Sequence, residues 1–145
     1  RSRRGNNIIV DVNGVIGLLN KQNLTDFKIN VICDISNPIV VNEATRLDKT
    51  RAQTAMRIRA DEMNNSIVVI GNAPTALLEV IKMVKEGITK PSLIIGVPVG
   101  FVCASESKDD LQEIEIPFIT NRGRKGGTPC ASAIVNALFK IVREN

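Results

Sequence analysis

Arg122, Arg124 and Lys125 lie within four consecutive residues and are interleaved with Gly123, Gly126 and Gly127. A guanidinium offers a planar fork of donors to a carboxylate, and glycine lets the backbone turn close to such a group. The chemistry open to this spacing is recognition of an anion. The competing reading is a solvated turn whose charges keep the surface soluble. Three cations among three glycines favour anion contact.

Histidine sets a second boundary, because the chain has none. Within these residues that excludes a His-dependent triad, a His general acid and a His metal ligand. Proton transfer falls to Asp, Glu, Lys, Cys or a bound water. Cys33, Cys103 and Cys130 are odd in number and lack Cys-x-x-Cys spacing. They read as buried thiols of a reducing compartment, neither a disulfide frame nor a metal site.

The elements that must hold the basic loop flank it. Pro117–Thr120 has strand character, with Ile116 leading in. Thr128 reads as an N-cap and Pro129 as the first helical residue, followed by an apolar periodicity of Ala133, Ala137, Leu138 and Ile141. A strand, a glycine-rich loop including Gly126 and Gly127, and a helix start thus follow one another. Free N–H groups and the positive end of a helix dipole suit an anion there.

The same arrangement recurs upstream. Ile8–Val12 reads as a strand emptying into a loop at Asn13 and Gly14, and Leu18, Leu19 and Leu24 fit a short helix or turn. Asn30–Asp34 is a second strand. Helical pattern covers about Pro38 to Glu43 and resumes over Thr50–Met63, where Ala52, Ala55, Met56 and Ala60 share a face. Thr50 is the N-cap of that segment, which puts Arg51 in the first turn, close to any ligand held there. A surface ion pair of Arg51 with Asp48 is the equal alternative.

Ser66–Ile70 is a third strand, running into Gly71-Asn72-Ala73-Pro74-Thr75 and a helix from Pro74 to about Glu86. Asn72 offers an N-cap, Leu77, Leu78, Ile81 and Val84 the buried face, and Gly87 the stop. The turn reads as a cradle for an oxyanion or amide, through Asn72, Ala73 and Thr75, or simply as a well-built helix start. Leu93–Val97 is a fourth strand, followed by Pro98-Val99-Gly100-Phe101. Glu106 and Lys108, before a short helix around Ser107–Ile114, form either a polar lip to a pocket or a surface pair. For these last features the residues alone favour the structural reading.

Alternating strands and helices predict an α/β fold: a three-layer αβα arrangement around a mainly parallel sheet of about five strands, forming one domain over residues 1–145. Ligands of such folds lie beyond the carboxyl ends of the strands. The loops at Asn13, Asn72, Pro98–Phe101 and Arg122–Thr128 all fall on that edge.

Composition agrees. The chain has 145 residues, 43% of them hydrophobic, which is enough for a core; with four Phe and neither Trp nor Tyr that core must be aliphatic. A net charge of +4, no stacking aromatics and no dense Lys/Arg stripe argue against a nucleic-acid partner and for a small polyanion. No apolar run has membrane length and no signal peptide is visible, so no membrane partner and a cytoplasmic location are expected. A nucleotide-binding module is disfavoured by the lack of Gly-x-Gly-x-x-Gly and Walker-type motifs.

Taken together, Gly71-Asn72-Ala73-Pro74-Thr75-Ala76-Leu77, Ile95-Gly96-Val97-Pro98-Val99-Gly100-Phe101-Val102, Glu106-Ser107-Lys108 and Arg122-Gly123-Arg124-Lys125-Gly126-Gly127 resemble the precorrin-8X methylmutase family. Asp11-Val12-Asn13, Thr50-Arg51 and Ala55-Met56 fit its earlier motifs in the same order. The resemblance runs from Ile8 to Leu138. It implies an α/β homodimer with its site near the subunit interface, and a cofactor-independent isomerase that moves a methyl group from C-11 to C-12 of a corrin precursor. It also implies substrate contacts from Asn13, Thr50, Arg51, Asn72, Ala73, Thr75, Gly100, Glu106, Lys108, Arg122, Arg124, Lys125, Gly126 and Gly127, with no metal.

The family pattern further implies a segment ahead of the first motif, with a histidine as the acid. This chain has no such histidine, so its catalytic acid is unassigned. Gly14 stands where Met is common, Ala52 where Ser follows the Arg, and Cys103 where Gly is usual. The expectation is a fragment of a longer enzyme. The alternative is a non-catalytic or divergent relative that binds a tetrapyrrole-like polyanion.

Overall fold

The computed structural model describes residues 7–98, 114–120 and 127–144. Runs rich in Ile and Val give strands β1 (Asn7–Val10), β2 (Asn30–Ile32), β3 (Ile67–Ile70) and β4 (Leu93–Gly96), and Phe118–Thr120 gives β5. They form one sheet in the order β2-β1-β3-β4-β5, with every adjacent pair parallel. Strand β1 therefore has β2 on one side and β3 on the other, and chain direction across the sheet reverses between β1 and β3. That is the switch point at which parallel α/β sheets open a crevice.

The helices among the described residues are α1 (Asn13–Gly17), α2 (Lys21–Asp26), α3 (Pro38–Leu47), α4 (Arg51–Ile58), α5 (Ala60–Met63), α6 (Pro74–Lys85) and α7 (Thr128–Glu144). Side chains alternate along each strand, so the central strands feed two cores. Ile9, Val68, Ile70 and Ile94 pack against Val40 of α3, Ala55 and Met56 of α4, and Leu77 and Val80 of α6. On the opposite face Ile8, Val10, Val69 and Ile95 pack against Val15 of α1 and Ala131, Val135 and Phe139 of α7. The result is helix, sheet, helix: the three-layer parallel fold predicted from the sequence.

Several local readings are corrected. Asn13 begins α1 rather than a loop. Helix α3 continues to Leu47, past the predicted end at Glu43, and stops at Asp48, which takes the left-handed conformation (φ +54°). In α6, Leu77 and Ile81 are buried as predicted, but Leu78 and Val84 are only half-buried and the charged Glu79 is buried instead. Gly87 does end α6: at φ +76° its N–H meets Val84 O, and Ile88 N–H returns to Met83 O at 2.9 Å.

Helix α7 departs most. Its sheet-facing residues are Ala131, Ser132, Val135 and Phe139, whereas Ala133, Ala137 and Ile141 face away and are exposed. Two apolar stripes run along this helix, and only the sheet decides which is inside. Its start is also one residue earlier than predicted. Gly127, at φ +101°, accepts from Ala131 N–H through its carbonyl (2.9 Å), so Thr128 is already helical and is not the cap.

Candidate functional site

The centre of the carboxyl edge is an aspartate. Asp11 directly follows β1, is fully buried, and aims both carboxylate oxygens at the turn after β3. Gly71 N–H donates to Oδ1 at 2.9 Å; Asn72 N–H and Ala73 N–H donate to Oδ2 at 2.9 and 2.7 Å. Burial pushes the Asp11 carboxyl above the ordinary carboxylate value, and the donations from Gly71, Ala73 and Asn72 pull it back down. The net direction stays upward, and the three N–H donors favour the ionised form against that burial.

This corrects the reading of Asn72 as the cap of α6. The N-cap position is Ala73, which has no side-chain acceptor to offer; among the described residues α6 has no side-chain cap, and Asp11 instead accepts from the N–H groups of the turn ahead of it. It also fills the predicted oxyanion cradle at Gly71–Ala73 from within the protein. Sequence reasoning placed Asp11 near the end of the first strand and in a motif of the resembled family, but gave it no contact and did not count it among the site residues. The available signal was an aspartate at the end of an all-apolar run, where a buried charge must find donors.

On the α4–α6 side of this turn the predicted residues come together. Thr50 caps α4 as predicted: its Oγ1 accepts from Gln53 N–H at 3.0 Å, and Gln53 Oε1 accepts from Thr50 N–H at 3.0 Å, a reciprocal capping box. Thr50 Oγ1 and Thr75 Oγ1 lie 3.4 Å apart. Arg51 occupies the first turn of α4 and is exposed; among the described residues it makes no ion pair with Asp48.

On the α1–α7 side, packing is tight. A Cβ at Gly14 would stand 3.0 Å from Thr128 Cγ2, and one at Gly71 would stand 3.1 Å from Ala131 Cβ and 3.3 Å from Thr128 Cα. Gly127 N–H donates to Val97 O at 2.7 Å, tying the start of α7 to the end of β4. Asn13 is exposed at the head of α1 beside this contact.

Gly100, Glu106, Lys108, Arg122, Arg124, Lys125 and Gly126 lie outside the described residues. Pro98, which leads into the first of those segments after β4, and Thr120 and Gly127, which bracket the second, belong to the carboxyl edge, whereas Ile114, which follows the first, lies with Gly87, Thr89 and Lys90. Thr120 Oγ1 is buried there, without a hydrogen-bond partner among the described residues.

Charged pairs brace the α3–α6 layer beneath the site. Arg59 forks onto Asp34, with Nε to Oδ2 at 2.5 Å and NH2 to Oδ1 at 3.1 Å. Burial alone would raise the Asp34 carboxyl, but Arg59 and Asn37 hold it below its ordinary value. Arg57 of α4 pairs with the buried Glu79 of α6. Cavities of about 710 Å³ (between Leu18–Asn23 and the end of α7), 400 Å³ (under Gly87 and Ile116) and 240 Å³ (between Leu47 and Glu79) contain none of the predicted site residues. Among the described residues no group of three or more His, Cys, Asp or Glu side chains could hold a metal.

An edge with this geometry can bind anionic rims through N-terminal hydroxyls, a free guanidinium and glycine-shaped backbone. Known proteins are similar to the chain in sequence and fold. The family model for precorrin-8X methylmutase matches residues 2–141. Cobalt-precorrin-8 methylmutase of Priestia megaterium is 47% identical over 136 residues, covering 94% of this chain and 60% of the relative. That of Methanocaldococcus jannaschii is 50% identical over 136 residues, covering 94% and 61%. The chain thus spans about 60% of the length of these curated relatives. The crystal structure of precorrin-8X methylmutase from Thermus thermophilus superposes with a TM-score of 0.88 at 34% identity, covering 97% of this chain and 68% of that one. A precorrin-8X methylmutase related protein gives 0.84 at 33% identity, covering 97% and 74%. With its profile matched almost end to end and its parallel sheet reproduced in these relatives, the chain belongs to the precorrin-8X methylmutase family.

Proposed function

We propose that this chain supplies the substrate-holding part of a cobalt-precorrin-8 or precorrin-8X methylmutase, an isomerase of cobalamin biosynthesis that moves a methyl group from C-11 to C-12 of the ring. The supporting observation is the convergence of Thr50, Arg51 and Thr75 beside the switch-point turn, in a chain 47% and 50% identical to relatives named for that reaction. A precursor of this class carries several peripheral carboxylates. Arg51, together with Arg122, Arg124 and Lys125, would receive them through charge-assisted hydrogen bonds, with Asn13, Asn72, Ala73, Gly100, Glu106, Lys108, Gly126 and Gly127 completing the lining.

The reaction is an isomerisation, so the product keeps every atom of the substrate. The protein's tasks are to hold one tautomer, fix the migrating geometry and manage a proton. Asp11 is unsuited to deliver that proton, because it is buried and both its oxygens face N–H donors. With no histidine in the chain, the acid is assigned to none of its residues.

A homodimer belongs to the proposal. The outer stripe of α7, with Ala133, Ala137 and Ile141 exposed, supports self-association. A cytoplasmic location is proposed with it; no helix among the described residues is long and apolar enough to cross a membrane.

The deciding experiment supplies precorrin-8 to this chain and, separately, to a longer product, the cobalt-precorrin-8 methylmutase of Priestia megaterium, of which this chain spans 60%. Turnover by the longer product, with binding but at least ~100-fold slower turnover here, is expected when a general acid is missing. Equal turnover would place the acid within these residues. Binding by this chain without any turnover, even beside the longer product, would favour the second reading, a non-catalytic corrinoid binder.

A further inference from the structure

The three N–H groups at Gly71, Asn72 and Ala73 open at the head of α6, a helix of 12 residues, beside the switch point. Such a cluster ordinarily attracts a ligand's anion. Here a fully buried carboxylate from β1 already occupies it, and both of its oxygens are engaged. We infer that Asp11 is a positioning residue of the candidate site. It fixes the turn bearing Asn72 and Thr75, and it closes the cradle to ligand carboxylates, which are thereby directed to the Thr50–Arg51 side. This rests on the reading of the edge as a corrinoid site.

The geometry leaves the turn no equivalent support. Ala73 has no side chain that can cap α6, no side chain among the described residues caps the helix from elsewhere, and the backbone N–H groups of Gly71, Asn72 and Ala73 all turn to Asp11. Gly71 is held on its other side by Ala131, Thr128 and Val15, so the turn sits between Asp11 and the start of α7. Removing the carboxylate would free three donors at a helix N-terminus and release the segment that carries Thr75 toward Thr50.

The test uses hydrogenobyrinic acid as the probe, its binding followed by absorbance. Asp11→Asn keeps the shape but sets an amide N–H against N–H donors, and Asp11→Ala empties the cradle. Both should lose about tenfold or more in affinity. Tens of millimolar formate should restore Asp11→Ala, leave Asp11→Asn unrestored, and leave the wild type unchanged. A merely structural role would not give formate rescue confined to the variant with an empty cradle. Affinities of both variants within twofold of wild type would overturn the inference.

A measurement on the unaltered protein stands apart from variant folding. The amide resonances of Gly71, Asn72 and Ala73 should not move as formate or phosphate is titrated in. A saturable shift of those three would show an open cradle and overturn the inference. If the wild type fails to bind the corrinoid, the proposed function fails. The cradle is then still judged by those resonances and by whether formate raises the melting temperature of Asp11→Ala alone.

Discussion

Thr50 and Thr75 hold their hydroxyl oxygens 3.4 Å apart although 25 residues separate them in the chain. One caps α4 and the other lies in the first turn of α6, so the positive ends of two helices converge at one edge of the sheet. Because Thr50 also closes a capping box with Gln53, Thr50→Ala should destabilise the fold by about 1 kcal/mol. Urea unfolding should show a lower midpoint with an unchanged slope.

Arg51 should matter to ligand and not to stability. It is exposed and makes no ion pair among the described residues. Arg51→Ala should therefore leave the unfolding midpoint nearly unmoved while weakening hydrogenobyrinic acid binding by about tenfold. The variant should also show a shallower salt dependence than wild type. Unchanged affinity would remove Arg51 from the site.

The Asp34–Arg59 fork predicts how the fold responds to acid. Asp34 titrates lower in the folded chain than its ordinary 3.8, so its contribution is fully present above that value. It is lost as pH falls through the still lower folded value. Wild type should lose stability below about pH 4 faster than Asp34→Asn does. At neutral pH, Asp34→Ala should cost about 1–3 kcal/mol, since it removes a charge-assisted pair and strands Arg59. Thermal melts across pH 2 to 7, a range of roughly five units, check both.

Arg57 and Glu79 make an asymmetric pair: Glu79 is 3% exposed and Arg57 is 39% exposed. Deleting the arginine leaves a buried carboxylate with its cation gone, and should cost about 2–3 kcal/mol after allowance for the exposed partner. Glu79→Gln, which keeps a hydrogen-bond acceptor for Arg57, should cost less. Equal losses for the two variants would contradict this account.

Gly71→Ala should disturb the edge through packing. The added methyl would meet Ala131 Cβ at 3.1 Å and both Thr128 Cα and Val15 Cγ2 at 3.3 Å, and two of those atoms lie in α7. A cost of about 1–3 kcal/mol is expected from overpacking. Gly17→Ala is the control, because nothing lies within 4 Å of its added Cβ.

What the sequence made legible were the features set by near neighbours. The Ile- and Val-rich runs gave β1, β3 and β4 because each is buried on both faces, and Thr50 was readable as a cap from the residues beside it. The parallel sheet and its carboxyl edge followed from the alternation of elements. Asp11 was not legible as the acceptor of the turn ahead of α6, since its three donors lie 60 to 62 residues downstream. The apolar periodicity of α7 was read in part correctly, since Leu138 packs against the core, but Ala133, Ala137 and Ile141 are as regular as Ala131, Val135 and Phe139, and only tertiary packing separates them.

The span between Asp11 and Gly71 also orders events in time. A turn whose acceptor arrives from 60 residues away cannot set while the intervening chain is loose. Closing so long a loop is entropically slow and is rewarded only when β1 docks beside β3. The turn at Gly71–Ala73 is therefore set no earlier than the pairing of β1 with β3. A newly made chain would gain that turn, and the placement of Thr75 beyond it, only once β3 has docked on β1, and separation of the two strands would release it.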